Sequence, residues 1–174
     1  MPAGMGPLAI DLDGVLGDTR ALWRDFLADV ARRFASIAPL DPGALSENRA
    51  EAAAELDRWA ARGIGDWRAA LARFAEDRAP VYLRPNAEVG AALRALAASG
   101  RRLGVYTDAP RELADVALAQ LGAARRIERL EAGANARERL ETALGPGTVV
   151  VSTRAELARA AQSSPSVSAR SEQA

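Results

Sequence analysis

From residue 102 onward the chain alternates short apolar runs with amphipathic stretches, and one earlier run of the same kind stands near its N-terminus. "RLGVYT" at 102–107, "RIERLE" at 126–131 and "GTVVV" at 147–151 read as strands, the middle one the weakest. Residues 110–121, 135–144 and 154–161 read as helices between and after them. Residues 7–12 stay apolar until a pair of aspartates, the pattern of a strand buried on both faces. Such alternation leaves strands parallel, with helices covering the sheet. The expected class is therefore α/β, and 174 residues suffice for one domain or a core with one insertion.

The insertion would lie between the first strand and its return. Leu22, Trp23, Phe26, Leu27, Val30 and Phe34 share one helical face. "LDPG" at 40–43 is expected to open a second helix, which carries Leu56 and Trp59 and stops at Gly63. Ile64, Trp67, Leu71 and Phe74 mark a third. After Pro80 and Pro85 comes a helix with Val89, Leu93 and Leu96 that ends at Gly100. All three Trp and all three Phe fall between 23 and 74, so this block is expected to have its own core, with some aromatics available to a substrate pocket. The tail from residue 162 has no periodicity and reads as disordered.

The 23 basic residues, every one an Arg, balance 23 acidic ones. Nothing in that balance suggests a nucleic acid or an acidic membrane as partner. No apolar run reaches the ~18 residues of a membrane span. The N-terminus shows no secretory pattern, so a cytoplasmic location is expected. Cys, His and Lys are absent. Thiol and imidazole nucleophiles are thereby excluded, as is a Ser-His-Asp triad. A metal would have oxygen ligands, which favours magnesium. Arginine can clamp an anion but cannot serve as a base. Acid, base and nucleophile must come from Asp, Glu, Ser, Thr or Tyr.

Within "LAIDLDGVLGDTR", Asp11 and Asp13 point the same way from an extended backbone. Like charges so close repel unless something positive stands between them. The pair is either solvated at a turn or holds a cation. Ligands of open α/β sheets gather at the carboxyl ends of the strands. Asp11 and Asp13 end the first strand and Thr107 the second, so neighbouring strands would bring them to one crevice.

"DLDGVLGDT" resembles the first motif of the haloacid dehalogenase superfamily, whose members are mostly magnesium-dependent phosphatases, and "RLGVYTDAP" is similar to its second. The likeness runs from residue 7 to about 161. It implies a Rossmann-like three-layer sandwich with a parallel sheet and a small inserted helical cap. Residues 1–16 and 81–162 would form the core, 17–80 the cap and 163–174 a disordered tail. Position by position, the resemblance makes Asp11 the nucleophile that forms an aspartyl-phosphate and Asp13 the acid and then the base. Gly14 would let the backbone pass, and Thr107 would bind a phosphate oxygen. Asp108 stands beside it at the phosphate, although it reads more naturally as a residue that helps start the helix at Pro110. Magnesium would lie between the Asp11 carboxylate, the Asp13 main-chain carbonyl and the phosphate.

The later motifs depart from the family. A Lys or Arg is expected near the start of the helix before the last strand, a position that falls near Ala134. Arg137 is the nearest substitute, with a fork suited to phosphate, and Arg139 a weaker one. After the last strand, where the family supplies another acidic metal ligand, the chain reads "VVVSTRAEL". Ser152 or Thr153 occupies that place. Glu156, a turn further on, either reaches the metal or stabilises its own helix. A hydroxyl replaces a carboxylate poorly at a hard cation, so weakened magnesium binding is expected. The resemblance implies a hydrolase of a small phosphorylated metabolite. The alternative is a descendant that binds a phosphometabolite or a protein without turnover. A phosphoacceptor receiver domain fits badly, given the long insert and the missing Lys.

Overall fold

The computed structural model describes residues 6–163. Four strands, β1 (Leu8–Asp11), β2 (Leu103–Thr107), β3 (Arg129–Ala132) and β4 (Val149–Val151), form one parallel sheet in the order β3-β2-β1-β4. β1 lies between β2 and β4, so Asp11 sits opposite Tyr106 and next to Thr107. That central place explains the apolar run: Leu8, Ala9 and Ile10 are all fully buried. The helices are α1 (Arg20–Ala35), α2 (Arg49–Ala61), α3 (Trp67–Tyr82), α4 (Ala87–Ala98), α5 (Arg111–Gln120), α6 (Ala136–Leu144) and α7 (Arg154–Gln162).

Side chains alternate across the sheet, as the two-residue repeat of a strand requires. Ala9 and Tyr106 pack with Leu140 and Leu144 of α6 in a small cluster on one face. A Cβ at Gly104 would come within 2.6 Å of Leu140, so the bare glycine lets α6 approach the sheet. Leu8, Ile10, Leu103 and Val105 join the main core together with Leu93 of α4, Leu113 of α5 and Leu157 of α7. The result is the expected Rossmann-like α/β sandwich.

Several boundaries differ from the sequence reading, that of the third helix among them, since Ile64 precedes the Asp66 cap of α3. Pro42 opens only a 3-10 turn, Pro42–Ala44. α2 starts later because Asn48 caps it, its side chain accepting the N–H groups of Ala50 and Glu51 at 2.9 and 3.2 Å. Pro80 lies inside α3, in its last turn, so the helix loses one i→i−4 hydrogen bond close to its end and runs on only to Tyr82. β3 begins only at Arg129, after a 3-10 turn at Ala124–Arg126; as an edge strand it is less buried, hence its weak apolar pattern.

α1, α2 and α3 occupy the span between β1 and β2 that the sequence reading takes for an insert. Trp23, Phe26, Trp59 and Trp67 belong to the same continuous buried cluster as Leu8, Ile10 and Leu113. The insert therefore shares its core with the sheet instead of enclosing a separate one, and α3 packs along α5. The disordered tail expected at 163–174 lies almost wholly outside the described residues. Among the described residues, no helix is long and apolar enough to cross a membrane.

Candidate active site

Past Asp11 the chain folds back on itself. The Leu12 carbonyl accepts the N–H groups of Leu16 and Gly17, and the Gly14 N–H bonds the Gly17 carbonyl at 2.7 Å. Gly14 takes φ +101°, a left-handed conformation that costs only glycine little. This turn holds Asp11 and Asp13 at a crevice of about 730 Å³, which Thr107, Asp108 and Arg137 also line.

Asp11 is half-buried, and its Oδ1 accepts the Asp13 N–H at 3.1 Å. Burial, and after it the charge of Asp13, push its carboxyl up to about 6. The Arg20 guanidinium acts in the opposite direction. Asp13 is enclosed. Its Oδ1 accepts the Thr19 N–H at 2.6 Å and the Thr19 hydroxyl at 2.8 Å. Its Oδ2 accepts the Thr107 hydroxyl at 3.1 Å and pairs with Arg49 Nη2 at 3.2 Å. Thr19 stands at the N-cap of α1 but gives its hydroxyl to Asp13 instead of to its own helix.

Thr107 is buried, donating to Asp13 and accepting the Ala109 N–H at 3.1 Å. Asp108 does not cap α5, whose N-cap Pro110 has no side-chain bond; its exposed carboxylate faces Arg49 Nη1 at 3.6 Å. Arg137 lines the crevice while paired with Glu141 at 2.7 Å. Arg139 turns to Glu131 and the Ala132 carbonyl.

Glu156 is used elsewhere. Its Oε2 accepts the N–H groups of Ser152 and Thr153 at 2.7 and 3.0 Å, while Thr153 Oγ1 accepts the Glu156 N–H at 3.2 Å. This capping box at the start of α7 holds the Glu156 carboxyl below its usual range, the Ser152 N–H being the main cause. Thr153→Ala is expected to lower stability by ~1 kcal/mol in thermal denaturation, the usual worth of a lost N-cap.

Sequence reasoning passed over Arg49, which is only 6% exposed and lines the same crevice. Its place at the start of α2, where the macrodipole disfavours a cation, was not legible, because the sequence put the opening of that helix at 40–43.

No family model and no curated protein matches the chain. Among solved structures, a HAD phosphatase from Thermococcus onnurineus superposes with a TM-score of 0.53 and 16% identity, over 92% of this chain and 83% of that one. The chain has the haloacid dehalogenase fold. A candidate beta-phosphoglucomutase from Thermotoga maritima follows at TM-score 0.46 and 19% identity, over 91% of this chain and 82% of the other. A dehalogenase with an intermediate complex gives 0.43 and 13%, over 92% and 82%.

Within this haloacid dehalogenase fold, the magnesium ion implied by the sequence resemblance meets a poor donor set. Magnesium takes near-octahedral oxygen ligands that include carboxylates. The Asp13 carboxylate is held by Arg49, Thr19 and Thr107, and that of Glu156 by the start of α7. Past β4 the chain offers hydroxyls, with Ser152 Oγ already 3.4 Å from the Tyr106 hydroxyl. Asp11 and the exposed Asp108 remain as carboxylates beside the Asp13 carbonyl, with Asp108 facing Arg49 at 3.6 Å. Among the described residues, no group of three or more His, Cys, Asp or Glu could hold a metal ion. These residues do not fit a resident magnesium ion, and Glu156, expected among its ligands, is turned to the start of α7 instead.

Proposed function

We propose that the crevice hydrolyses a small phosphomonoester, with Asp11 as the nucleophile. What carries this reading is one juxtaposition: a paired Asp11 and Asp13 at the end of the central strand, in a crevice also lined by Arg20, Arg49 and Arg137. An Asp11 oxygen attacks phosphorus, the bond to the leaving oxygen breaks, and Asp13, having taken a proton from solvent once Arg49 turns to the phosphate, delivers it to that oxygen. Water then attacks the phosphorus of the aspartyl-phosphate and gives its proton to Asp13, releasing phosphate and Asp11. The arginines offset the charge on the phosphoryl oxygens. Asp13 reaches the leaving oxygen once its Oδ2 exchanges Arg49 or Thr107 for substrate.

A second pocket, of about 530 Å³, shares Arg20, Arg49 and Asp108 with the crevice and has Trp23, Leu27 and Leu45 on its wall. We assign it to the leaving group. In this reading residues 17–80 are a cap over a core of 1–16 and 81–162. A panel of phosphomonoesters, each assayed with EDTA and with magnesium, tests the proposal. Phosphate release from at least one member is expected, and release from none under either condition would contradict it. The enclosed Asp13 carboxylate favours a second reading, in which a phosphorylated metabolite or a protein partner is bound without turnover.

A further inference from the structure

We propose that Arg49 is the built-in counter-cation of this crevice, so that the site binds a phosphoryl group without a divalent metal ion. The inference rests on the phosphomonoester reading above and specifies how that site recognises its ligand.

Arg49 comes from the insert, yet its side chain is only 5% exposed and reaches the carboxyl edge of the sheet. Nη2 stands 3.2 Å from Asp13 Oδ2, Nη1 donates to Thr19 Oγ1 at 2.8 Å, and Nη1 lies 3.6 Å from Asp108 Oδ1. The guanidinium is thus set between carboxylates that follow β1 and β2. A buried guanidinium is tolerated only where charge and hydrogen bonds compensate it, and here the partners are residues of the crevice itself.

Asp11, Asp13 and Asp108 would leave the crevice strongly negative, and a phosphate adds to that charge. Two kinds of group can offset it: a divalent cation on several carboxylates, or fixed guanidiniums. The first kind lacks its ligands, because Ser152 and Thr153 stand past β4 and Glu156 is bonded to the start of α7. The second kind is present. A cation placed beside Asp13 would also meet the positive charge of Arg49 at close range. Arginine is suited to the alternative role, since its planar fork binds phosphate through paired N–H donors and stays charged at any working pH. Arriving phosphate would then exchange with Asp13 Oδ2 for the Nη2 contact. That exchange also frees the oxygen that the proposed proton transfer needs.

The experiment is a calorimetric titration of the full chain with inorganic phosphate, once in EDTA and once in excess magnesium. The dissociation constants are expected to agree within about threefold, well short of the tenfold that answers to ~1.4 kcal/mol. In EDTA, Arg49→Met and Arg49→Gln are each expected to weaken phosphate at least tenfold, with folding checked by circular dichroism. Phosphate bound only in magnesium would overturn the inference and leave the phosphomonoester reading standing. Unchanged binding in either folded variant would overturn it as well. Phosphate bound under neither condition would overturn the phosphomonoester reading, and the inference with it. If neither variant folds, the comparison of EDTA with magnesium on the natural protein still decides.

Discussion

Asp11→Asn is expected to abolish phosphomonoester hydrolysis while leaving the protein at least as stable at neutral pH. An amide cannot attack phosphorus, so turnover through an aspartyl-phosphate ends. The stability follows from the electrostatics of the crevice. Burial and the neighbouring Asp13 raise the Asp11 carboxyl from 3.8 to about 6. Between those values the native state binds more protons than the unfolded chain. Stability therefore falls as pH rises through that window and stays lower above it. The amide carries no such cost. Thermal melts at pH 7 beside phosphate-release assays read both effects, and a large drop in Tm would show that Asp11 supports the fold. The same ionisation predicts an acidic limb near pH 6 in the rate of the natural protein. Asp13→Asn is expected to lose ~10²–10⁴-fold in rate, the usual worth of general acid–base catalysis. It should also destabilise, because Arg49 then stays buried without its ion-pair partner.

Trp67→Ala is expected to have the largest effect on stability, ~3–5 kcal/mol, as for other large buried aromatics cut to Ala. Trp67 is 1% exposed, meets Trp23 edge-on at 6.3 Å, lies under the Arg68 guanidinium at 4.3 Å and donates its indole N–H to Asp57 at 2.8 Å. Because its cluster continues into the sheet, the loss should lower one cooperative transition for the whole chain; a separately melting insert would contradict the shared core. Trp23 offers a contrast. Its buried Nε1 has no hydrogen-bond partner among the described residues, so Trp23→Phe removes an unsatisfied donor and should cost far less. Trp23 also lines the pocket assigned to the leaving group, so the same change should register in KM. Denaturant melts of both variants, with kinetics for the second, separate packing from substrate contact.

The strand pattern was readable because it records local burial. β1 and β2 are covered on both faces, and their apolar runs stop where Asp11, Asp13 and Thr107 reach the crevice. The D-x-D spacing pointed to a shared site because a two-residue step along an extended backbone returns to the same face; in the fold Asp13 lies in the turn past β1, and that turn keeps it beside Asp11. The fate of each polar group was harder to read, since it depends on partners distant in sequence. Glu156 could serve a metal or a helix, and the N–H groups of Ser152 and Thr153 decide for the helix. In the sequence Arg49 is one charged residue of an amphipathic helix among many, and its role emerges only when α2 is set against the loop after β1. "LDPG" carries the letters of a helix opening, yet the cap that works is Asn48, whose side chain meets two free N–H groups.

In the proposed reaction Asp11 carries the phosphoryl group. Quenching the protein in acid during turnover and reducing it with borohydride converts an aspartyl-phosphate into homoserine, which peptide mass spectrometry locates. Homoserine at position 11, absent without substrate, is the predicted result. Homoserine at another position, or none while phosphate is being released, would contradict the account.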